Sequence, residues 1–176
     1  MVRFQRQPPG TAITRASLLV GGGLVAVAAG SIVRGDRLEA ALLAGAAGAL
    51  LLIGTHRANH GAGGPVDRML GELLDRAWDG AVLAPIAWVT RDTDPSVAAG
   101  ALVALCASFL SSYIRARGAA LRYSVEESHV TRGVRYALVT AGLAFDALAF
   151  AVWSAAVVSI MAVLVRTSQV AKEERA

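Results

Sequence analysis

A chain of 176 residues with 55% hydrophobic and 17% charged residues is poorer in charge than an average soluble domain, where about a quarter of residues are charged. A mean hydropathy of +0.53 points the same way. The net charge of +4 sits at the ends of apolar runs rather than on one polar face, which argues against nucleic acid and for anionic lipid headgroups or a phosphorylated substrate.

Apolar runs near 20 residues predict transmembrane helices. The first covers 16–33 and follows a basic stretch with the look of a signal peptide; five further spans favour a retained helix. Its Gly21-Gly22-Gly23 lies mid-span with no strand before it and is not a phosphate loop. The second span covers 38–53, and Gly45-Ala46-Ala47-Gly48 within it suits close backbone approach, which helices in lipid need in place of a hydrophobic drive. The glycine-rich run 61–64 before Pro65 ends that helix early and leaves His56 and His60 as loop residues. Only on a continued helix would they share a face and offer imidazoles to a transition metal.

A third span, 67–90, begins polar and turns apolar at Ala81, with Asp67 as a cap or first-turn residue favoured by the helix dipole. Trp88 near Arg91 fits an interfacial anchor. The fourth span, 95–114, holds the single cysteine, Cys106, in apolar surroundings that give neither a disulfide nor a metal pattern. The fifth and sixth, 135–145 and 147–165, divide at Asp146, which would otherwise be buried mid-helix. One all-α domain, 1–176, results: an integral membrane six-helix bundle.

Basic residues set its orientation. Arg3, Arg6, Arg15, Arg57, Arg68, Arg115, Arg117, Arg122, Arg132, Arg135, Arg166, Lys172 and Arg175 fall on one side, and Arg34, Arg37 and Arg91 on the other. Both termini are therefore expected in the cytoplasm of a cell with a bacterial-type plasma membrane, with the polar site at the cytoplasmic face.

Acids beside a lipid interior are a functional lead. Gly71, Asp75 and Asp79 recur at i, i+4 and i+8, so the carboxylates share a face with Cβ atoms about 6 Å apart, a spacing that can hold a divalent cation. The plain alternative is a pair of interfacial acids neutralised by Arg76 and other arginines. Glu72 points about 100° from Gly71 and is expected to pair with Arg68 or Arg76 one turn away. Arg115 and Arg117 end the fourth span while Arg132 and Arg135 open the fifth. Guanidinium groups there suit phosphate oxygens, although orientation alone also puts arginines on that side. The polar stretch 122–129 between them is a candidate cover.

These residues resemble a known family. Gly71, Asp75 and Asp79 are similar to the second half of the CDP-alcohol phosphatidyltransferase signature, D-x-x-D-G-x-x-A-R followed after about eight residues by G-x-x-x-D-x-x-x-D. Ser112-Tyr113-Ile114-Arg115-Ala116-Arg117 resembles the S-Y-x-K/R-A-R stretch of its actinobacterial phosphatidylinositol phosphate synthase-like branch, and Arg132 and Arg135 fall where an E-R-x-E-R-like element stands. The resemblance covers about residues 38 to 145 and implies a six-helix membrane enzyme. It implies Asp75 and Asp79 as ligands of magnesium or manganese, Asp79 also as the group that activates the acceptor, and Gly71, Arg115, Arg117, Arg132 and Arg135 in substrate binding.

The first half of the signature departs from the family. Its five positions carry Gly54, Arg57, Ala58, Gly61 and Ala62. Two carboxylates remain where four are expected, and Arg57 brings positive charge. Loss of even an indirect metal contact weakens binding about 10- to 100-fold, so impaired chemistry is expected. Two functions follow. The first is transfer of a phosphatidyl group from CDP-diacylglycerol or a related lipid to an alcohol or phosphorylated alcohol, with release of CMP. The second is a catalytically inactive homologue acting as a lipid-binding or partner subunit, in a homodimer or heteromer. A transporter is disfavoured because the polar groups are expected at one end.

Overall fold

The computed structural model describes residues 10–123 and 129–173. Arg3, Arg6, Arg175 and most of the candidate cover, 124–128, lie outside the described residues. Six helices follow one another: α1 (Thr11–Arg34), α2 (Arg37–Arg57), α3 (Pro65–Thr90), α4 (Pro95–Ala120), α5 (His129–Ala144) and α6 (Leu148–Glu173). A π-turn, Ala58–Ala62, continues α2. Among the described residues, α1, α2 with its π-turn, α4 and α6 are long and apolar enough to cross a membrane. α3 carries Asp75 and Asp79, and α5 carries Arg132 and Arg135.

Local chemistry sets the helix ends. Pro65 and Pro95 open α3 and α4, where the missing N–H is no loss. Asp94 caps α4 by accepting from the Val97 N–H at 3.1 Å, and Asp67 accepts from the Gly64 N–H at 2.8 Å while pairing with Arg15 of α1 at 2.6 Å. Gly35, at φ 86, closes α1. Asp146 takes φ 54 in the turn between α5 and α6, is exposed, and pairs with Arg37. It marks a boundary and is not buried.

The helices form a closed ring in the order α1, α2, α5, α6, α4, α3, with a further contact between α2 and α3. Inside it Leu18, Leu51, Trp78, Val82, Ile86 and Val139 pack among alanines. Gly48 admits the Tyr136 ring: a Cβ there would lie 2.8 Å from Tyr136 Cδ2. Among the described residues the α3 and α5 backbones do not approach one another. Long polar side chains bridge that gap.

Most of the helices run further than hydropathy predicts, α4 to Ala120 and α6 to Glu173 among them, and two of the extensions bear on the site. α2 continues past 53 through Arg57 into the π-turn, which places His56 on the helix and His60, at φ −102 and ψ 31, where the coil breaks, with the two rings stacked at 4.1 Å. Glycine terminates this helix only where it takes positive φ, at Gly61 (φ 92). Packing of Gly54 against Leu18 and of Thr55 against Gly71 holds the last turns in place. α5 begins at His129 rather than near 135, because Arg132 and Arg135 are buried by ion pairs, which hydropathy counts as solvated charge.

Candidate functional site

Asp75 and Asp79 lie near the middle of α3, not at its mouth, and are 2% and 0% exposed. Carboxylates so deep must be paired, and the partners come from three helices. Arg135 of α5 forks onto Asp79, Nε to Oδ1 at 2.7 Å and Nη2 to Oδ2 at 3.0 Å. Ser108 of α4 donates to Asp79 Oδ2 at 2.5 Å. Arg76 bridges the two acids, with Nη2 at 2.5 Å from Asp75 Oδ2 and Nη1 at 2.9 Å from Asp79 Oδ2. The same Nη1 donates to the Ser108 carbonyl at 2.8 Å. Arg132 Nε lies 3.0 Å from Asp75 Oδ2, and the Tyr136 hydroxyl donates to Asp75 Oδ1.

α5 owes this to its spacing. Arg132, Arg135 and Tyr136 recur at i, i+3 and i+4 and share the inward face; all three are buried. Trp78, between the aspartates in sequence, donates its indole N–H to the Ala44 carbonyl at 3.0 Å and stacks on Tyr136 with centroids 4.0 Å apart. The polar centre is thereby tied to α2 as well.

A cleft of about 300 Å³ opens beside it, lined by Glu72, Asp75, Arg76, Ser112, Arg115 and Arg132 together with three neighbours on α4. Asp79 does not line it. Arg115 forks onto Glu72, with contacts of 3.1 and 3.0 Å, so Glu72 pairs across to α4 instead of within α3. The expectation of an Arg68 or Arg76 partner missed this because helix register says nothing of the neighbouring helix. Arg132 and Arg135 lie in the polar centre and Arg115 at the cleft beside it, whereas Arg117 is exposed and does not line the cleft. Gly71 faces Thr55, whose Oγ1 would be 2.9 Å from an added Cβ. Its role in the structure is helix packing. Arg76 pairs with both acids, as the plain alternative had it, whereas Ser108 and Tyr136 were not named as contributors, because nothing local in the sequence marks a hydroxyl on another helix as a carboxylate's partner.

The donor set does not suit the divalent ions that the signature implies. Every oxygen of both carboxylates already accepts from a guanidinium or hydroxyl. The five charged residues of the centre, Asp75, Asp79, Arg76, Arg132 and Arg135, sum to one positive charge, three guanidiniums against two carboxylates, whereas divalent-ion pairs are held by several acids acting together. No group of three or more metal-binding side chains occurs among the described residues. His56 lines a separate surface pocket with Leu52, Ile53, Arg57 and Val130.

No family model matches the chain. The phosphatidylinositol phosphate synthase of Corynebacterium glutamicum is 30% identical to it over 176 aligned positions, which cover 94% of this chain and 78% of that protein. This chain belongs to the CDP-alcohol phosphatidyltransferase family. Its apolar helices and this relative make it a multi-pass membrane protein with a phosphatidyltransferase-like role in phospholipid biosynthesis. As in any fold that supports several chemistries, the particular activity of a CDP-alcohol phosphatidyltransferase homologue is argued from its site.

Proposed function

We propose that the protein acts on a CDP-linked lipid such as CDP-diacylglycerol, taking its phosphate groups at the cleft beside Asp75 and Arg115, from the cytoplasmic face of a bacterial-type plasma membrane. Its reaction is transfer of the phosphatidyl group to an alcohol or phosphorylated alcohol, impaired relative to the family. The convergence of Arg76, Arg115 and Arg132 with Asp75 at one cleft carries this reading. Forked guanidiniums fix phosphate oxygens in position, and positioning is a large part of any phosphoryl-type transfer. The acidic side chains contribute less. Asp79 is fully buried away from the cleft lining, with Oδ1 accepting from Arg135 and Oδ2 from Arg135 and Ser108, and so does not face an acceptor hydroxyl held there.

That saturation favours a second reading, a lipid-binding or partner subunit without turnover. Purified protein incubated with CDP-diacylglycerol, a panel of alcohols and either magnesium or manganese separates the two. CMP release that disappears in Arg132→Ala supports impaired transfer. Binding of the CDP-lipid with no CMP above background across the panel supports the subunit reading, and failure to bind CDP-lipid at all rejects both.

A further inference from the structure

The two carboxylates that line the cleft, Asp75 and Glu72, are held very differently. Asp75 is buried and gripped from α3 and α5 by Arg76, Arg132 and Tyr136. Glu72 has a side chain that is 46% exposed, and its partner Arg115, on α4, is 18% exposed. Arg115 turns both terminal nitrogens to it, Nη1 to Oε1 at 3.1 Å and Nη2 to Oε2 at 3.0 Å. That parallel fork is the geometry in which a guanidinium takes two oxygens of a phosphate. While Glu72 holds this edge of Arg115, a phosphate cannot use it.

The grip is weak enough to be broken. An ion pair this open to solvent favours its closed form by only about two- to fivefold, equivalent to roughly 0.4–1 kcal/mol. Glu72 can turn its carboxylate into water by rotating its own side chain. Asp75 cannot, because a buried acid that leaves its arginines strands them in the interior.

We propose that Glu72 is a displaceable gate on the cleft, occupying the phosphate-binding edge of Arg115 until a ligand phosphate evicts it to solvent. The ligand rests on the reading above, in which a CDP-linked lipid places its phosphates beside Arg115. Competition of this kind lowers the apparent affinity by the fraction of time for which the fork is free. Glu72 is thus a residue that tunes binding through Arg115 without touching the lipid.

The test is a calorimetric titration of the full chain in detergent micelles with CDP-diacylglycerol, no alcohol being present. Glu72→Gln should bind the lipid about two- to fivefold more tightly than the wild type, since the neutral amide competes poorly for the guanidinium. The direction is diagnostic: loss of a residue that only supports the fold weakens binding. Glu72→Asp, one methylene shorter and strained to reach Arg115, should fall between the two. In an Arg115→Ala background, where no fork is left to uncover, Glu72→Gln should change nothing. A gain that persists there would mean plain repulsion between Glu72 and the lipid and would overturn the gate. Equal affinities in wild type and Glu72→Gln, or weaker binding in the variant, would also overturn it while leaving the CDP-lipid reading intact. Absence of binding in both proteins rejects that reading and the gate with it.

Discussion

The end of α2 and the middle of α3 stand in the two halves of one signature, and they have gone opposite ways. At the end of α2, Gly54 and Thr55 are packing residues, pressed against Leu18 and Gly71. In the middle of α3, Asp75 and Asp79 keep their charge and are enclosed by arginines. Buried carboxylates need a counter-charge, and among the described residues α2 offers none beside them. Here guanidiniums from α3 and α5 provide it. The comparison teaches that two aspartates one turn apart can hold a bundle together through arginines of their own and a neighbouring helix.

The largest expected effect comes from Asp79→Ala, which strands Arg135 in the interior. Removing one partner of a buried pair is destabilising by about 3–5 kcal/mol, so thermal melts in detergent should show a large fall in midpoint, with a smaller one for Asp79→Asn. A melt like that of the wild type would mean that the polar centre does not lock α3 to α5. On the α2 side, Gly54→Asp introduces an acid where a Cβ would sit 2.8 Å from Leu18 Cδ2. Overpacking of this kind is worth about 1–3 kcal/mol. Trimming the neighbour in Gly54→Asp/Leu18→Ala should recover part of the lost midpoint, and full stability in the single variant would show that this half remains open.

Gly48→Ala sharpens the contrast at the contact between the two regions. It should push Tyr136 and with it the hydrogen bond to Asp75, for a loss in the lower part of the same range of about 1–3 kcal/mol, read from the melting midpoint. The smallest effect belongs to Arg57→Met. Arg57 Nε is buried with no hydrogen-bond partner in the structure, and removing such a donor should raise the midpoint slightly, by under about 1 kcal/mol. A marked fall would assign Arg57 a polar role that the α2 region otherwise lacks.

Much of the architecture was legible in the residues. Apolar length marked α1, α4 and α6, and Asp146 marked the last turn, since each signal is local. The i, i+4 spacing of Asp75 and Asp79 placed both on one face for the same reason. Burial depth and the particular partners were not legible. Arg132 and Arg135 read as phosphate ligands or orientation charge opening the fifth span, because hydropathy cannot see that their counter-ions are the aspartates of α3, and Glu72 was assigned partners on its own helix when Arg115 of α4 was the one it meets.

Sequence alone determined that this is a membrane helical bundle with acids in register on α3 and arginines on the helices that follow, because periodicity and hydropathy depend only on near neighbours along the chain. Tertiary structure decided what the acids do. Only the closing of the ring sets α5 opposite α3, and side chains as long as arginine then span the gap and take up every carboxylate oxygen. Electrostatics in a dry interior acts through distance in space, and distance in space is what a linear order of residues leaves open.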